Sequence, residues 1–366
     1  MSSRVIPIKA ATKTVPLVGE IRRDETHWID SRGRPLRDVR ISITDRCNFR
    51  CRYCMPKEKF EKDHCFLSHT EVLSFEEIIR LAKIFAANGI EKIRLTGGEP
   101  LLRKGIEFLI EELSKLKTWN GKPLDVAVTT NGAALSAKAK SLAAAGLKRL
   151  TVSLDAMDPQ IYKDLNDVNF PIEKTLAGIQ AAKDAGIPSI KINVVVKRGV
   201  NEKELIKIAE HFKGSGIIVR YIEFMDVGTS NGWRLDDVIP SHKIVEEINR
   251  VYPIEPLNPN YTGEVATRWA YKDGSGELGF ISSVSEPFCK ECSRIRLSVD
   301  ANSTNAFLRR RLRHCQMLRG GASDEEIEDA IGRIWTTRDE HYSEIRTEET
   351  VKARAGKRIE MSYIGG

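Results

Sequence analysis

Apolar and polar residues follow two alternating rhythms between Asp38 and Phe224. The segment "DVRISIT", from Asp38, changes character at nearly every position, which is typical of a half-buried strand. The segment "FEEIIRLAKIFAANG" instead repeats its apolar residues at helical spacing. Ser74 and Glu77 form a capping-box pattern at its start, and Gly89 is a typical stop. The sequence therefore predicts a strand followed by a helix that begins after Ser74.

The same two rhythms recur until six strands have been predicted. The five further strands are "EKIRLT", "LDVAVTT", "LKRLTVSLD", "IKINVVV" and "GIIVRYIEF". Helical patterns lie between them, around residues 103–116, 136–146, 172–185 and 202–212. Strands joined by helices in this way form parallel β/α units with right-handed crossovers. The predicted fold class is α/β: an incomplete (βα)6 TIM-type barrel with an irregular α+β C-terminal domain.

The β/α rhythm is lost after Asp226, where stretches rich in Gly and Asn begin. We expect an N-terminal arm over residues 1–36, the partial barrel over 37–226 and a C-terminal domain over 227–366. In a barrel of parallel strands, chemistry belongs at the carboxyl ends of the strands. We therefore expect the functional motifs to lie there.

Composition narrows the class of protein only moderately. The chain is 41% hydrophobic and 30% charged, as soluble globular proteins are. Its formal charge of +7 suits an anionic ligand but does not imply nucleic acid. No apolar run is long enough to span a membrane. The seven cysteines are odd in number and mostly clustered, which favours metal ligation in a reducing compartment, the cytoplasm.

Three cysteines follow the first predicted strand with the spacing C-x3-C-x2-C: Cys47, Cys51 and Cys54. Three thiolates on one loop can hold three irons of a cubane iron–sulfur cluster. The fourth iron can then bind a small chelating molecule and pass it an electron. Zinc is the alternative, since His64 and Cys65 are near enough in sequence to complete a closed four-ligand site.

The cysteine motif, with the aromatic Tyr53 inside it, resembles that of the radical S-adenosylmethionine (SAM) enzymes. "LTGGEP", at the end of the second strand, resembles the glycine-rich segment of the same family. The resemblance implies a [4Fe-4S] cluster and SAM, with Tyr53, Gly98, Ser153 and Met225 in contact with SAM. A dinucleotide-binding dehydrogenase is excluded, because no G-x-G-x-x-G follows a strand.

A second pair of cysteines narrows the resemblance. "PFCKECSRIRLS" places Cys289 and Cys292 beside two arginines, and the chain ends in "IGG". With the N-terminal motif, these segments closely resemble the GTP 3′,8-cyclase family, which begins molybdenum cofactor biosynthesis. The resemblance implies a 5′-deoxyadenosyl radical that takes hydrogen from the ribose C3′ of GTP. The C3′ radical then attacks C8, and a second [4Fe-4S] cluster binds the guanine.

The family match also implies roles for further residues. The GTP contacts would be Arg40, Arg94, Thr129, Lys191, Arg294 and Arg296, because fixed cations suit a triphosphate. Gly365 and Gly366 would form a tail that takes part in hydrogen abstraction. The implied partners are GTP, an electron donor such as flavodoxin or ferredoxin, and the next enzyme, cyclic pyranopterin monophosphate synthase. The chain would be a monomer or homodimer, without nucleic-acid or membrane partners.

One expected cysteine is missing. The family pattern C-x2-C-x13-C places a third thiol at position 306, where this chain has Ala306. His314 and Cys315 are the alternative donors. Codons for Asn302 to Phe307, read one nucleotide out of frame, can encode Lys-Phe-Tyr-Lys-Cys-Leu, which matches the family. We hypothesise two compensating frame shifts spanning about residues 301–318. As the sequence stands, we expect an incomplete or labile second cluster and weak or absent GTP cyclisation.

Other functions remain open from the sequence alone. The chain is also compatible with another radical SAM enzyme that carries an auxiliary cluster and acts, for example, on a peptide. An inactive copy of the cyclase and a non-catalytic iron–sulfur or zinc protein are further alternatives. GTP binding separates the cyclase from the peptide enzyme, and SAM cleavage after reduction separates both from the non-catalytic protein.

Overall fold

A single mixed sheet of eleven strands runs through the computed structural model, which describes residues 20–60, 64–228, 231–286, 289–301, 303–304, 314–339 and 359–365. The strands are β1 (Asp38–Ser42), β2 (Lys92–Thr96), β3 (Asp125–Thr130), β4 (Arg149–Ser153), β5 (Ser189–Val196), β6 (Ile218–Glu223), β7 (Ile254–Leu257), β8 (Thr267–Tyr271), β9 (Glu277–Ile281), β10 (Arg294–Leu297) and β11 (Ser303–Thr304). Their order across the sheet is β11-β10-β1-β2-β3-β4-β5-β6-β9-β8-β7.

Ten helices accompany these strands in the described part of the chain, apart from short 3-10 turns. They are α1 (Phe75–Ala87), α2 (Ile106–Ser114), α3 (Leu135–Ala144), α4 (Pro159–Asn166), α5 (Ile172–Asp184), α6 (Leu205–Phe212), α7 (Ser241–Val251), α8 (His314–Arg319), α9 (Asp324–Thr336) and α10 (Met361–Ile364). Strands β1 to β6 are parallel neighbours joined by helices, so the predicted incomplete (βα)6 barrel is confirmed.

Local signals explain where these elements begin. The Ser74 side chain accepts from the Glu77 amide while the Glu77 carboxylate accepts from the Ser74 amide, as the capping-box pattern predicts. Helix α4 escaped the sequence analysis, although Asp158 caps it and Pro159 occupies its first turn. It is short, so its apolar periodicity covers too few turns to stand out.

The segment after β6 is more regular than its composition predicts. Strand β9 pairs in parallel with β6, and β10 pairs in parallel with β1. Both flanks of the barrel strands are thereby extended, although the sequence analysis found no regular element in this stretch. The Gly- and Asn-rich segments supply turns and loops between β7, β8 and β9. The division into domains at residue 226 stays a prediction.

Residues 20–36 pack against the barrel. Trp28 is fully buried and meets Phe85 of α1 edge to face at 6.5 Å between ring centroids. Trp335 of α9 is also fully buried and donates through its indole nitrogen to the Arg34 carbonyl at 3.1 Å. The chain before β1 and the helix near the C-terminus therefore share one core. None of the described helices is long and apolar enough to cross a membrane.

Candidate active site

A cavity of about 690 Å³ occupies the interior of the partial barrel. Both groups of cysteines line it: Cys47, Cys51, Cys54, Cys289 and Cys292. All predicted SAM and GTP contacts line it too: Tyr53, Gly98, Ser153, Met225, Arg40, Arg94, Thr129, Lys191, Arg294 and Arg296. The fold thus brings together residues that lie far apart in sequence.

The three N-terminal cysteines lie on the loop at the carboxyl end of β1, as expected. Burial raises the pKa of Cys47 to about 11 and that of Cys54 to about 12. Burial also raises the pKa of Cys51, and the neighbouring Cys54 and Cys47 add to the effect. Without metal these thiols are therefore protonated, and metal binding would release their protons. Three thiols facing one cavity fit a cubane cluster with one open iron.

The geometry supports a zinc site less well than it supports a cubane iron–sulfur cluster. In the part of the chain that the structure describes, no three His, Cys, Asp or Glu side chains are close enough to hold a single metal ion. A cubane differs, because each thiolate binds its own iron. The His64 ring lies 4.7 Å from Phe60 and 4.8 Å from Phe66 between centroids. Cys65 is exposed, and it does not line the cavity.

The glycines of "LTGGEP" seat this turn against the cysteine loop. The Gly98 amide donates to the Thr44 carbonyl at 2.7 Å, and the Glu99 amide donates to the Arg46 carbonyl at 2.8 Å. A Cβ on Gly98 would lie 2.2 Å from the Arg46 carbonyl oxygen. We expected the glycines to admit a ligand. In the structure they also admit a neighbouring backbone, which leads directly into Cys47, while Gly97 and Gly98 both line the cavity.

Tyr53 is held by a carboxylate that the sequence analysis did not select. Its hydroxyl donates to Asp155 at 2.5 Å, and the other carboxylate oxygen accepts from the Val195 amide at 2.8 Å. Burial raises the pKa of Asp155 to about 6. Ser153 ends β4 two residues before it, so the carboxyl ends of β4 and β5 are tied to the cysteine loop. Asp155 belongs to the segment "VSLD", in which the sequence analysis assigned a role to Ser153 alone.

The cations lie deeper in the barrel than the strand-end rule predicts. Register places Arg296 of β10, Arg40 of β1 and Arg94 of β2 side by side, each in the middle of its strand. Lys191 is the third of the eight residues of β5, and Arg294 is the first residue of β10. Neither residue therefore lies at the carboxyl end of its strand. Our expectation that all motifs lie at the carboxyl ends was wrong for this set. Because the barrel is incomplete, its interior leaves room for ligand between polar side chains.

Hydrogen bonds orient part of this cation set. Arg94 donates to the hydroxyls of Thr129 and Thr151, both at 3.1 Å. Arg220 of β6 donates to Thr151 at 3.3 Å and lines the same cavity. The sequence analysis missed Arg220, which has no motif around it. The available signal was a basic residue within the mostly apolar strand "GIIVRYIEF".

Several of these cations lack a carboxylate partner. Among the residues that the structure describes, no acidic group lies within 4.0 Å of Arg40, Arg94, Lys191, Arg220 or Arg294 in an ion pair. Burial, followed by repulsion from Arg294, Arg296 and Arg94, lowers the pKa of Arg40 well below its usual range. Like charges held together at this depth are costly unless an anion joins them. The cavity is therefore built for a polyanion.

Two buried guanidinium groups hold the second pair of cysteines. Arg34 donates to the Cys289 carbonyl at 2.6 Å, and Arg338 donates to the Cys292 carbonyl at 2.7 Å. Asp30 pairs with Arg34 at 2.6 Å and lies 3.8 Å from Arg338. We call Asp30, Arg34 and Arg338 the arginine clamp. Sequence reasoning gave no sign of the clamp, because its members are far from the cysteines along the chain.

The C-terminal tail also reaches the cavity region. Arg296 donates to the Gly365 carbonyl at 2.5 Å. Gly366, residue 302 and residues 305–313 lie outside the described residues, as do the side chains of His314 and Cys315. Ala306 and much of the frame-shift segment, about residues 301–318, are therefore not described. The evidence that the third thiol is missing therefore comes from the sequence, which has Ala306 at this position.

Comparisons with known proteins cover both halves of the chain. The model for the Radical SAM superfamily matches residues 41–212, and that for Molybdenum Cofactor Synthesis C matches residues 217–344. GTP 3′,8-cyclase from Acidothermus cellulolyticus is 46% identical over 360 residues, which cover 92% of this chain and 98% of the relative. GTP 3′,8-cyclase from Staphylococcus haemolyticus is 42% identical over 339 residues, with the same coverage.

Among solved structures, SuiB from Streptococcus suis bound to S-adenosylmethionine has a TM-score of 0.57 at 13% identity. The match covers 81% of this chain and 68% of SuiB, and it speaks for the fold alone. Fold, cysteine loop and family match together define a radical SAM enzyme. Within that class, the chain belongs to the GTP 3′,8-cyclase family.

Proposed function

We propose that the chain converts GTP to 3′,8-cyclo-7,8-dihydro-GTP, the first step of molybdenum cofactor biosynthesis. One observation in the structure supports this activity independently of the family match. A set of partly buried cations without carboxylate partners shares one cavity with the three N-terminal cysteines. The polyanionic end of GTP and the source of the radical would thus lie in the same enclosure.

The carboxyl ends of the strands would hold SAM. Cys47, Cys51 and Cys54 would bind a [4Fe-4S] cluster, which supplies the electron that cleaves SAM to methionine and a 5′-deoxyadenosyl radical. Tyr53, Gly98, Ser153 and Met225 surround this end of the cavity and would contact SAM. Asp155 fixes the Tyr53 side chain, and the Gly98 turn fixes the entry to the cysteine loop.

The middle of the barrel would hold GTP. Arg94, Lys191 and Arg220 face one another across β2, β5 and β6, and they suit the triphosphate. Arg40, Arg294 and Arg296 lie beside Cys289 and Cys292, where the guanine would bind. Thr129 orients Arg94 through its hydroxyl. The ribose would then lie between the two ends, within reach of the radical.

The barrel also limits access of water to this space. The inner walls are strands, and α10 packs against β1. Exclusion of water strengthens the attraction between the arginines and phosphate. It also protects a carbon radical from side reactions. Gly365 lies at this boundary, in a position that suits the proposed role of the tail.

Partners and compartment are part of the proposal. A flavodoxin or ferredoxin would supply the electron, and cyclic pyranopterin monophosphate synthase would consume the product. Clustered cysteines without disulfide bonds, such as Cys47, Cys51 and Cys54, favour the cytoplasm, because oxidising compartments convert clustered thiols to disulfides. The chain would act as a monomer or homodimer.

An inactive or weakly active copy is the second candidate. The observation that favours it is Ala306, which stands where the family has its third C-terminal cysteine. Alanine cannot ligate iron, so only Cys289 and Cys292 would remain. The N-terminal cluster would still form, and SAM would still be cleaved without GTP cyclisation.

Anaerobic reconstitution with iron and sulfide tests both candidates. The reduced chain is incubated with SAM and GTP, and 5′-deoxyadenosine and cyclised GTP are measured by mass spectrometry. The proposal predicts both products, with less cyclised GTP from the unaltered chain than from Ala306→Cys. Formation of 5′-deoxyadenosine without cyclised GTP identifies the inactive copy, and absence of both products contradicts radical SAM chemistry.

A further inference from the structure

The C-terminal tail is seated by a specific contact between Tyr363 and Asp300. The Tyr363 hydroxyl donates to the Asp300 carboxylate at 2.5 Å. Asp300 lies on the turn that follows β10, and the Ser298 hydroxyl donates to the same oxygen at 2.5 Å. The tail is therefore fastened to the segment that continues from Cys292 through Arg294 and Arg296.

An apolar seat sets the depth of the tail. Ile359 and Ile364 are buried against Val227, with Met225, Met361 and Tyr363 packed around them. Val227 and Met225 follow β6, so the seat lies beside a residue expected to contact SAM. Apolar contacts of this kind are not directional. They hold the tail on the protein but do not fix which way its last carbonyl points.

The last turn of the tail fits its surroundings closely. Gly365 has a φ of 74°, in the left-handed region, and a Cβ there would lie 2.1 Å from the Thr96 methyl group. Its carbonyl accepts from Arg296 at 2.5 Å. Gly365 thus lies between the end of β2 and the middle of β10. A small rotation of the preceding turn would move its carbonyl away from Arg296.

We propose that Tyr363 is a positioning residue, which uses its hydrogen bond to Asp300 to aim Gly365 at Arg296. Two anchors, Arg296 and Asp300, belong to the same short segment of chain. Directional bonds at both anchors fix the rotation of the tail, which the apolar seat leaves free. The tail would then follow any movement of the segment that carries the second pair of cysteines. Its consequence for turnover rests on the proposed function.

Hydrogen exchange in the metal-free chain tests the contact without any chemistry. We expect the amides of residues 361–365 to exchange at least about tenfold faster in Tyr363→Phe, the factor expected for a lost hydrogen bond to a carboxylate. Asp300→Ala should give the same increase. The double variant should exchange no faster than Asp300→Ala alone, because that substitution already removes the contact with Tyr363. Tyr252→Phe, at the end of α7 and outside the cavity, is the matched control and should leave tail exchange unchanged.

Turnover separates positioning from a merely structural role. In the reconstituted Ala306→Cys chain we expect Tyr363→Phe to lower kcat for GTP cyclisation while the KM for GTP stays within about twofold. We also expect more 5′-deoxyadenosine per cyclised GTP, since SAM cleavage would continue without productive abstraction. Unchanged tail exchange in Tyr363→Phe overturns the proposal, and so does an unchanged kcat. A chain without GTP turnover contradicts the proposed function instead, and the exchange result alone then decides on Tyr363.

Discussion

At the residue scale, the cations of the cavity are destabilised by burial and by one another. Burial, with Arg220 as the next cause, lowers the pKa of Lys191 to about 8. Burial and Arg94 lower the pKa of Arg220 to about 9, and burial and Arg294 lower that of Arg296 to about 9. A bound triphosphate would relieve this repulsion. The ligand-free site therefore holds its cations ready for an anion.

Lys191 should make GTP binding depend on pH. Its pKa is depressed in the ligand-free chain, so Lys191 is charged below pH 8 and loses its proton as the pH rises through 8. A triphosphate favours the charged form, so binding above pH 8 requires proton uptake. We expect GTP affinity, measured by equilibrium dialysis, to fall about three- to tenfold between pH 7.5 and 9.

Lys191→Arg is the matched variant for this prediction. The usual pKa of arginine lies well above that of lysine, so the fall in affinity should be much smaller in this variant. An equally steep fall in Lys191→Arg would show that another group is responsible.

Gly98 should not tolerate a side chain. A Cβ would meet the Arg46 carbonyl oxygen at 2.2 Å, so the turn or the cysteine loop would have to move. We expect Gly98→Ala to lower the free energy of unfolding of the metal-free chain by about 2–3 kcal/mol, as overpacking does. Urea denaturation measures this change. Iron bound after reconstitution should also decrease.

Gly121→Ala is the control for that substitution. Gly121 has a φ of 77° but nothing within 4 Å of its Cβ position, so only backbone strain applies. A cost of about 1 kcal/mol is expected there. Equal costs at the two positions would mean that the contact with Arg46 is unimportant.

At the element scale, β10 determines where the second pair of cysteines lies. It pairs in parallel with β1 and places Cys289 and Cys292 beside the barrel cavity. The arginine clamp then fixes the carbonyls of both cysteines. Buried charges of this kind add specificity of position more than stability.

The clamp predicts a clear stability difference between two arginines. Arg338 is 2% exposed, and Arg338→Met would leave the Cys292 carbonyl without this donor. We expect the free energy of unfolding to fall by about 2–3 kcal/mol. Arg32, whose ion pair with Asp339 is at the surface, is the control, and Arg32→Met should cost less than about 1 kcal/mol. Equal effects in urea denaturation would contradict a role for the clamp.

The sequence predicted the elements better than their long-range partners. Strict alternation identified β1 to β6, and the capping box located the start of α1. Strands β7 to β9 were missed because turns interrupt every apolar run. The pairing of β10 with β1 joins residues more than 250 positions apart, for which local patterns give no signal. The same limit hid Arg34 and Arg338, whereas the cysteines and the proposed GTP contacts, which all line the cavity, were selected through their motifs.

At the scale of the whole molecule, the two metal sites should behave differently. The N-terminal loop has its three cysteines, but the C-terminal site has two and Ala306. We expect about four irons per reconstituted chain, and about eight in Ala306→Cys, because a cubane holds four. Metal analysis measures both values. About eight irons in the unaltered chain would show that another residue, such as His314 or Cys315, completes the second site.

The central claim is that one cavity places GTP beside the source of the radical. Isotope labelling, which shows where the abstracted hydrogen comes from, tests this claim most directly. Reconstituted Ala306→Cys chain, reduced and supplied with SAM, is given GTP deuterated at ribose C3′ or, as a control, at C8. The account predicts deuterium in 5′-deoxyadenosine from the C3′-labelled GTP and none from the C8-labelled GTP. Unlabelled 5′-deoxyadenosine from both, despite SAM cleavage and bound GTP, would contradict it.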